Sequence, residues 1–182
     1  MKIGIFGSAV SEDEDVMRKA EIIGREIAKK GHSLVTGACG GLPHLAAKGA
    51  FSEGSSTIAF TPANNIDEHV NIYKFPLEFH SKYEFTPKDY SSNKGIALKF
   101  RNVMSCGSVD AGIIIGGRIG TLNEFTNLYD MGKIIGVLSG SGGISSQVDE
   151  IVKKAAKKTD SVIVFDDNPV RLVEKIIGCW YD

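Results

Sequence analysis

The residues best suited to chemistry in this 182-residue chain lie in one stretch, Asp110-Ala-Gly-Ile-Ile-Ile-Gly-Gly-Arg-Ile-Gly-Thr-Leu-Asn-Glu124. It reads as a buried strand over 111–115, a glycine-rich turn and the first turn of a helix. Such a junction presents unpaired backbone N–H groups and the positive end of a helix dipole, and phosphates bind there. Gly116, Gly117, Arg118, Ile119, Gly120 and Thr121 are the candidates to hold one, through main-chain N–H groups and the Thr121 hydroxyl. Glu124 follows one turn later, a carboxylate close to whatever the loop holds. A phosphate cradle beside a carboxylate suits a small phosphorylated ligand and chemistry on it. The same letters also spell a capping box, in which Thr121 caps the helix and Glu124 bonds back to the Thr121 N–H.

Arg101 is the second candidate. It sits in Lys99-Phe-Arg-Asn102, on a helix expected over 93–106, just before the Asp110 stretch. Its planar fork of donors fits a phosphate or a carboxylate, and an ion pair with a nearby acid is the structural alternative.

The elements that must position these groups alternate along the chain. Apolar strands are expected at 2–6, 33–36, 57–61, 71–75, 111–115, 134–138 and 161–165. Helices are expected over 12–30 (capped by Ser11, with Glu14 completing Ser-x-x-Glu), 43–54, 93–106, 121–132 and 144–158, with a last one from Pro169. Residues 76–92, with two prolines and four aromatics, read as an irregular flap or a dimer contact. Continuous apolar strands separated by helices predict an α/β chain: one doubly wound, Rossmann-like parallel sheet, a three-layer sandwich in a single domain over 1–182. In such sheets ligands bind beyond the carboxyl ends of the strands. Two further glycine loops then join the first on that edge, Gly7-Ser8 and Gly37-Ala-Cys-Gly-Gly41. Gly7, Ser8, Gly37 and Gly41 are accordingly ligand-binding candidates.

Composition narrows the partners. Net charge is −1, which leaves no electrostatic footprint for nucleic acid. No apolar run approaches a membrane span, and the start, Met-Lys-Ile-Gly-Ile-Phe-Gly, reads as a strand; the cytoplasm is the expected compartment. Cys39, Cys106 and Cys179 are scattered and odd in number, so neither a disulfide framework nor a metal site is indicated. His32 reads as a helix-end residue, and His44 is placed where it can face the pocket. Neither a dinucleotide Gly-x-Gly-x-x-Gly nor a triphosphate P-loop is present, so a mononucleotide or sugar phosphate fits better.

The order and spacing of these motifs resemble the Lonely Guy (LOG) family, once described as lysine decarboxylases. The family pattern runs Arg-Lys-x-x-Met, Ser-Asp-Ala, an apolar strand, then Pro-Gly-Gly-x-Gly-Thr-x-x-Glu. It is matched by Arg101, Ser108-Val-Asp110-Ala111, the strand to Ile115, and Gly116-Gly-Arg-Ile-Gly-Thr-Leu-Asn-Glu124. Thr36-Gly-Ala-Cys-Gly-Gly-Leu-Pro43 resembles its Thr-Gly-Gly-Gly-Pro-Gly-Ile-Met loop, and the likeness covers roughly residues 2–140. The chain departs from the pattern at Gly116 (Pro), Arg118 (Gly), Asn102 (Lys), Ser105 (Met), Ala38 and Cys39 (Gly), and His44 (acid). The resemblance implies a hydrolase that cleaves the N-glycosidic bond of a nucleoside 5′-monophosphate without a cofactor. Glu124 and Arg101 would be its catalytic residues, and a homodimer or higher homo-oligomer its assembly. Structural relatives of that family include molybdenum-cofactor carriers, so a binding protein without hydrolytic activity is the alternative.

Overall fold

The computed structural model of the chain describes every residue except Glu12, Ala156 and Asp182. In chain order its elements are β1 (Lys2–Gly7), α1 (Glu14–Lys29), β2 (Ser33–Thr36), α2 (Leu42–Ser52), β3 (Thr57–Thr61), α3 (Ile66–Asn71), β4 (Lys82–Phe85), α4 (Lys88–Ser91), α5 (Lys94–Gly107), β5 (Ala111–Ile115), α6 (Ile119–Asp130), β6 (Ile134–Leu138), α7 (Val148–Ala155), β7 (Ile163–Asp166) and α8 (Pro169–Tyr181). The strands form one parallel sheet in the order β4-β3-β2-β1-β5-β6-β7. The chain winds outward from β1 to β4, returns to β5 beside β1, and winds outward the other way. The switch point therefore lies between β1 and β5, where Gly7 pairs with Ile115.

Side-chain alternation along the central strands divides the core into two layers. Ile3, Ile5, Ile113 and Ile115 pack on one face with Val16, Ile23 and Ile27 of α1, Leu42 and Ala46 of α2, and Leu172 and Ile176 of α8. Phe6, Ile114, Ile135 and Val137 pack on the other with Cys106, Phe125, Leu128 and Val148. Every residue of β5 and β6 is buried, as a strand covered on both faces requires. Each isoleucine so buried stabilises the fold by about 1.5–3 kcal/mol relative to exposure. This is the three-layer Rossmann-like architecture that the apolar strands imply.

Four local expectations are corrected. Residues 71–75 are not a strand: Asn65 accepts from the Glu68 N–H and opens α3, which runs to Asn71, and Lys74 at φ 56° leaves the extended region. The fourth strand is Lys82–Phe85, inside the segment read as irregular, with Ile58 beside Lys82 and Thr61 beside Phe85. Helix α1 is capped by Asp13, whose carboxylate accepts from the N–H groups of Asp15 and Val16, rather than by Ser11. The expected start of that helix at residue 12 lies outside the described residues. The helix expected over 144–158 is a 3-10 turn at Gly143–Ser146 followed by α7, and residue 156 of it also lies outside them.

Candidate ligand site

At the switch point the loops after β1, β2 and β5 enclose a cavity of about 260 Å³. Gly7 and Ser8 line it from the first loop, Gly37 from the second, and Arg118, Gly120 and Thr121 from the third. Arg101 on α5 and Glu124 on α6 complete the predicted set that meets there. The remaining predicted residues lie behind this wall. Gly41 packs against Ser8 and Ala9, and the neighbouring Leu42 N–H donates to the Ser8 carbonyl at 2.9 Å. Gly116 and Gly117 are buried in the turn, and the Gly116 N–H donates to Ser141 Oγ at 2.8 Å, so it is committed within the protein. Ile119 is 73% exposed and points its side chain to solvent.

Helix α6 begins earlier than the sequence pattern suggests. Arg118 occupies the N-cap position, its carbonyl accepting from the Leu122 N–H at 2.9 Å, and no side chain caps the helix. The N–H groups of Ile119, Gly120 and Thr121 therefore open the helix without intrahelical partners, the arrangement that favours an anion. Thr121 sits within the first turn, and the capping box is not formed. Glu124 instead lies in the second turn, 6% exposed and facing the cavity.

Arg101 and Glu124 form a loose buried pair. Arg101 Nη1 donates to the Gly37 carbonyl at 2.9 Å and stands 3.7 Å from Glu124 Oε1, too far for a hydrogen bond. Burial pushes the Glu124 carboxyl up to about 7, against the lowering influence of Arg101 and, more weakly, Lys99. Arg101 Nε and Asn102 Oδ1 are buried without hydrogen-bond partners among the described residues.

Sequence reasoning missed several residues of this cavity. Cys39 lines it, and burial raises its thiol, Arg101 partly offsetting this. Asn102 lines it from α5, and its chemistry was visible only as a departure from the resembled pattern. Phe75, Leu98 and Pro43 supply an apolar wall. Phe75 is set by His69, whose ring meets it edge-on at 5.7 Å. The Pro76 carbonyl only accepts, so His69 Nε2–H donates to it at 3.1 Å, while Nδ1 pairs with Thr61 Oγ1 at 2.9 Å. His44 does not reach the cavity; it packs on Phe79 and near His80. Burial lowers the pKa of both imidazoles, His80 to about 4. His32 does lie just past a helix end, its N–H donating to the Ile27 carbonyl. No group of three or more His, Cys, Asp or Glu is arranged to hold a metal among the described residues. No helix of the described residues is long and apolar enough to cross a membrane.

Fold and site together define a Rossmann-like protein with a cavity at its switch point that combines an apolar wall with a few buried polar and charged groups. The sequence profile of the SLOG cluster4 family matches residues 1–173, and the chain belongs to that family. An uncharacterized protein of Archaeoglobus fulgidus is 33% identical over 138 residues, 76% of this chain and 80% of that one. Among solved structures, TM1055 superposes with a TM-score of 0.76 at 20% identity, over 96% of this chain and 99% of its own. The molybdenum cofactor binding protein of Rippkaea orientalis superposes with a TM-score of 0.70 at 20% identity, over 100% and 97%. These likenesses establish the SLOG Rossmann-like fold.

Proposed function

We propose that this protein binds a nucleoside 5′-monophosphate or a related phosphorylated small molecule in the switch-point cavity. The observation that carries the reading is the meeting of an uncapped helix start, Arg118 and Arg101 around one cavity that also holds unpartnered buried polar atoms. The phosphate sits at the start of α6, against the main chain of Arg118–Thr121 and the Arg118 guanidinium. Gly7, Ser8 and Gly37 form the opposite wall, while Gly41, Gly116 and Gly117 hold the loops in place. The apolar wall of Phe75 and Leu98 suits the flat face of a base. The Rippkaea orientalis neighbour, a molybdenum cofactor binding protein, supports a binding or carrier role.

One observation favours hydrolysis as a second reading. Glu124 carries a carboxyl near 7 inside the cavity and receives no hydrogen bond from Arg101. Such a group is suited to orient water or stabilise oxocarbenium-like charge at an anomeric carbon, as carboxylates do in glycoside hydrolysis. Arg101 would orient the substrate and stabilise the departing base. The products would be a free base and ribose 5-phosphate, with no metal or organic cofactor needed. In either reading a homodimer is the assembly we propose, supported by the exposed apolar side of α5.

The test is a panel of nucleoside monophosphates, extended to the molybdenum cofactor, read by thermal shift and by ribose 5-phosphate release. A stabilising shift without release establishes the binding protein. Release that falls about 10²-fold in Glu124→Gln, with nucleotide binding retained, establishes the hydrolase. A protein that responds to no member of the panel refutes both.

A further inference from the structure

The inner end of the cavity differs chemically from the helix start at its mouth. Asn102 is 4% exposed and lines the cavity from α5. Its Nδ2 donates to Asn123 Oδ1 at 2.9 Å, and Lys99 Nζ donates to the same oxygen at 3.5 Å. An ammonium has donors only, so the Lys99 contact favours the Asn123 oxygen on that side, with Asn102 offering its NH2 group to it. In this arrangement Asn102 Oδ1 is a buried acceptor with no hydrogen-bond partner among the described residues. Glu124 follows Asn123 in the chain and brings a second acceptor to the same cavity, 3.7 Å from the nearest Arg101 nitrogen.

An anion at this end would meet the Glu124 carboxylate and gain nothing from an acceptor such as Asn102 Oδ1. A pair of hydroxyl donors would satisfy both oxygens. At position 102 the resembled pattern carries lysine, a donor, so this chain presents the opposite hydrogen-bonding character there.

We propose that Asn102 and Glu124 together read two neighbouring hydroxyl groups of the ligand, such as the cis-diol of a ribose, and that Asn102 makes the site select ribose over 2-deoxyribose. This rests on the reading that the cavity takes a phosphorylated small molecule with its anion at the start of α6. A site built to pair with a hydroxyl rejects the analogue lacking it, because its own buried polar atoms are then left unpaired.

The experiment compares adenosine and guanosine 5′-monophosphates with their 2′-deoxy counterparts by calorimetry, with inorganic phosphate as a probe of the anion end. The native protein should bind the ribose forms tighter by about tenfold or more. Asn102→Leu should bring the two affinities within about threefold while phosphate binding persists, and Asn102→Gln, which keeps both an amide oxygen and an NH2 group there, should retain the preference. Equal native affinity for ribose and deoxyribose forms overturns this inference and leaves the nucleotide-binding reading standing. A preference that survives in Asn102→Leu also overturns it, since the selection then lies elsewhere. Binding of neither nucleotides nor phosphate defeats the underlying reading and this inference with it. Should circular dichroism find Asn102→Leu unfolded, the native protein and Asn102→Gln decide: loss of the preference in the glutamine variant counts against the inference.

Discussion

Arg101 reaches across the switch point to Gly37: its Nη1 donates to the Gly37 carbonyl at 2.9 Å, and a Cβ built on Gly37 would lie 1.5 Å from that nitrogen. The second glycine loop thus leaves room for the guanidinium rather than touching a phosphate with an extra N–H. Arg101 is also the nearest cation to Glu124, so this one contact sets the charge balance of the cavity.

Gly37→Ala should therefore displace Arg101 without unfolding the chain. Nucleotide affinity is expected to fall by about tenfold or more, equivalent to about 1.4 kcal/mol. Calorimetric titration measures it, with circular dichroism checking the fold. Affinity equal to that of the native protein would show that Arg101 has no part in binding.

Glu124 gives the fold a pH signature. Its ordinary value of 4.5 is raised to about 7, chiefly by burial, so the folded state binds its proton more tightly than the unfolded state. The stability that comes with the neutral carboxyl is fully present below about 4.5 and is lost as pH rises to about 7. The loss is on the order of 3 kcal/mol by the conversion of 1.36 kcal/mol per pH unit. Glu124→Gln should remove it. The variant should gain stability over the native protein at pH 8 and gain little at pH 4.5, in denaturant titrations at the two values. A gain of equal size at both would mean that Glu124 is not raised in the folded chain.

That environment was hidden in the sequence for a physical reason. Thr121-x-x-Glu124 has capping-box spacing, and only the position of the first helical turn decides between a cap and a buried carboxyl. The turn begins at Ile119 because Gly116 and Gly117 take up positive φ and bring Arg118 to the N-cap position. The central strands were legible because full burial on both faces leaves continuous apolar runs such as Ile113–Ile115. The edge strand Lys82–Phe85 was not: with one neighbour only, its side chains are half-buried or exposed, and its composition resembles a loop. Phe75 and Cys39 carry no local mark at all. Their place in the cavity is made by His69, by the loop after β2 and by α5, which are distant in sequence.

The Gly116–Gly117 turn depends on a fourth loop, residues 139–146, which no ligand-binding pattern marks. Ser141 Oγ accepts from the buried Gly116 N–H, and the Gly116 and Gly117 carbonyls accept from Ser145 N–H and Ile144 N–H at 3.2 and 2.9 Å. Ser141→Ala orphans the Gly116 donor and should cost about 1–3 kcal/mol of stability. Gly143→Ala should cost at least as much, because its Cβ would lie 2.3 Å from the Gly117 oxygen at a φ of 56°. Denaturant unfolding measures both. A serine variant as stable as the native protein would mean that water replaces the hydroxyl and the fourth loop is not a clamp.

The outer side of α5 predicts the assembly. Ile96, Val103 and Met104 are 52%, 44% and 46% exposed, at spacings of seven and eight residues that return to one side of a helix. Tyr90, 46% exposed, stacks on Phe100 of the same helix at 4.5 Å and extends the surface toward Phe85. In the homodimer proposed above, a two-fold axis would lay this apolar surface against its own copy. Because Arg101 and Asn102 lie on the buried side of α5, pairing there would also brace the cavity. Sedimentation at tens of micromolar should therefore give the mass of two chains. Val103→Asp should raise the dissociation constant about tenfold or more, by burying an unpaired charge at the centre of the contact. Nucleotide affinity should weaken along with the dimer if the partner braces α5. A native protein that sediments as a single chain at every concentration would rule the assembly out, and the apolar side of α5 would then need another occupant.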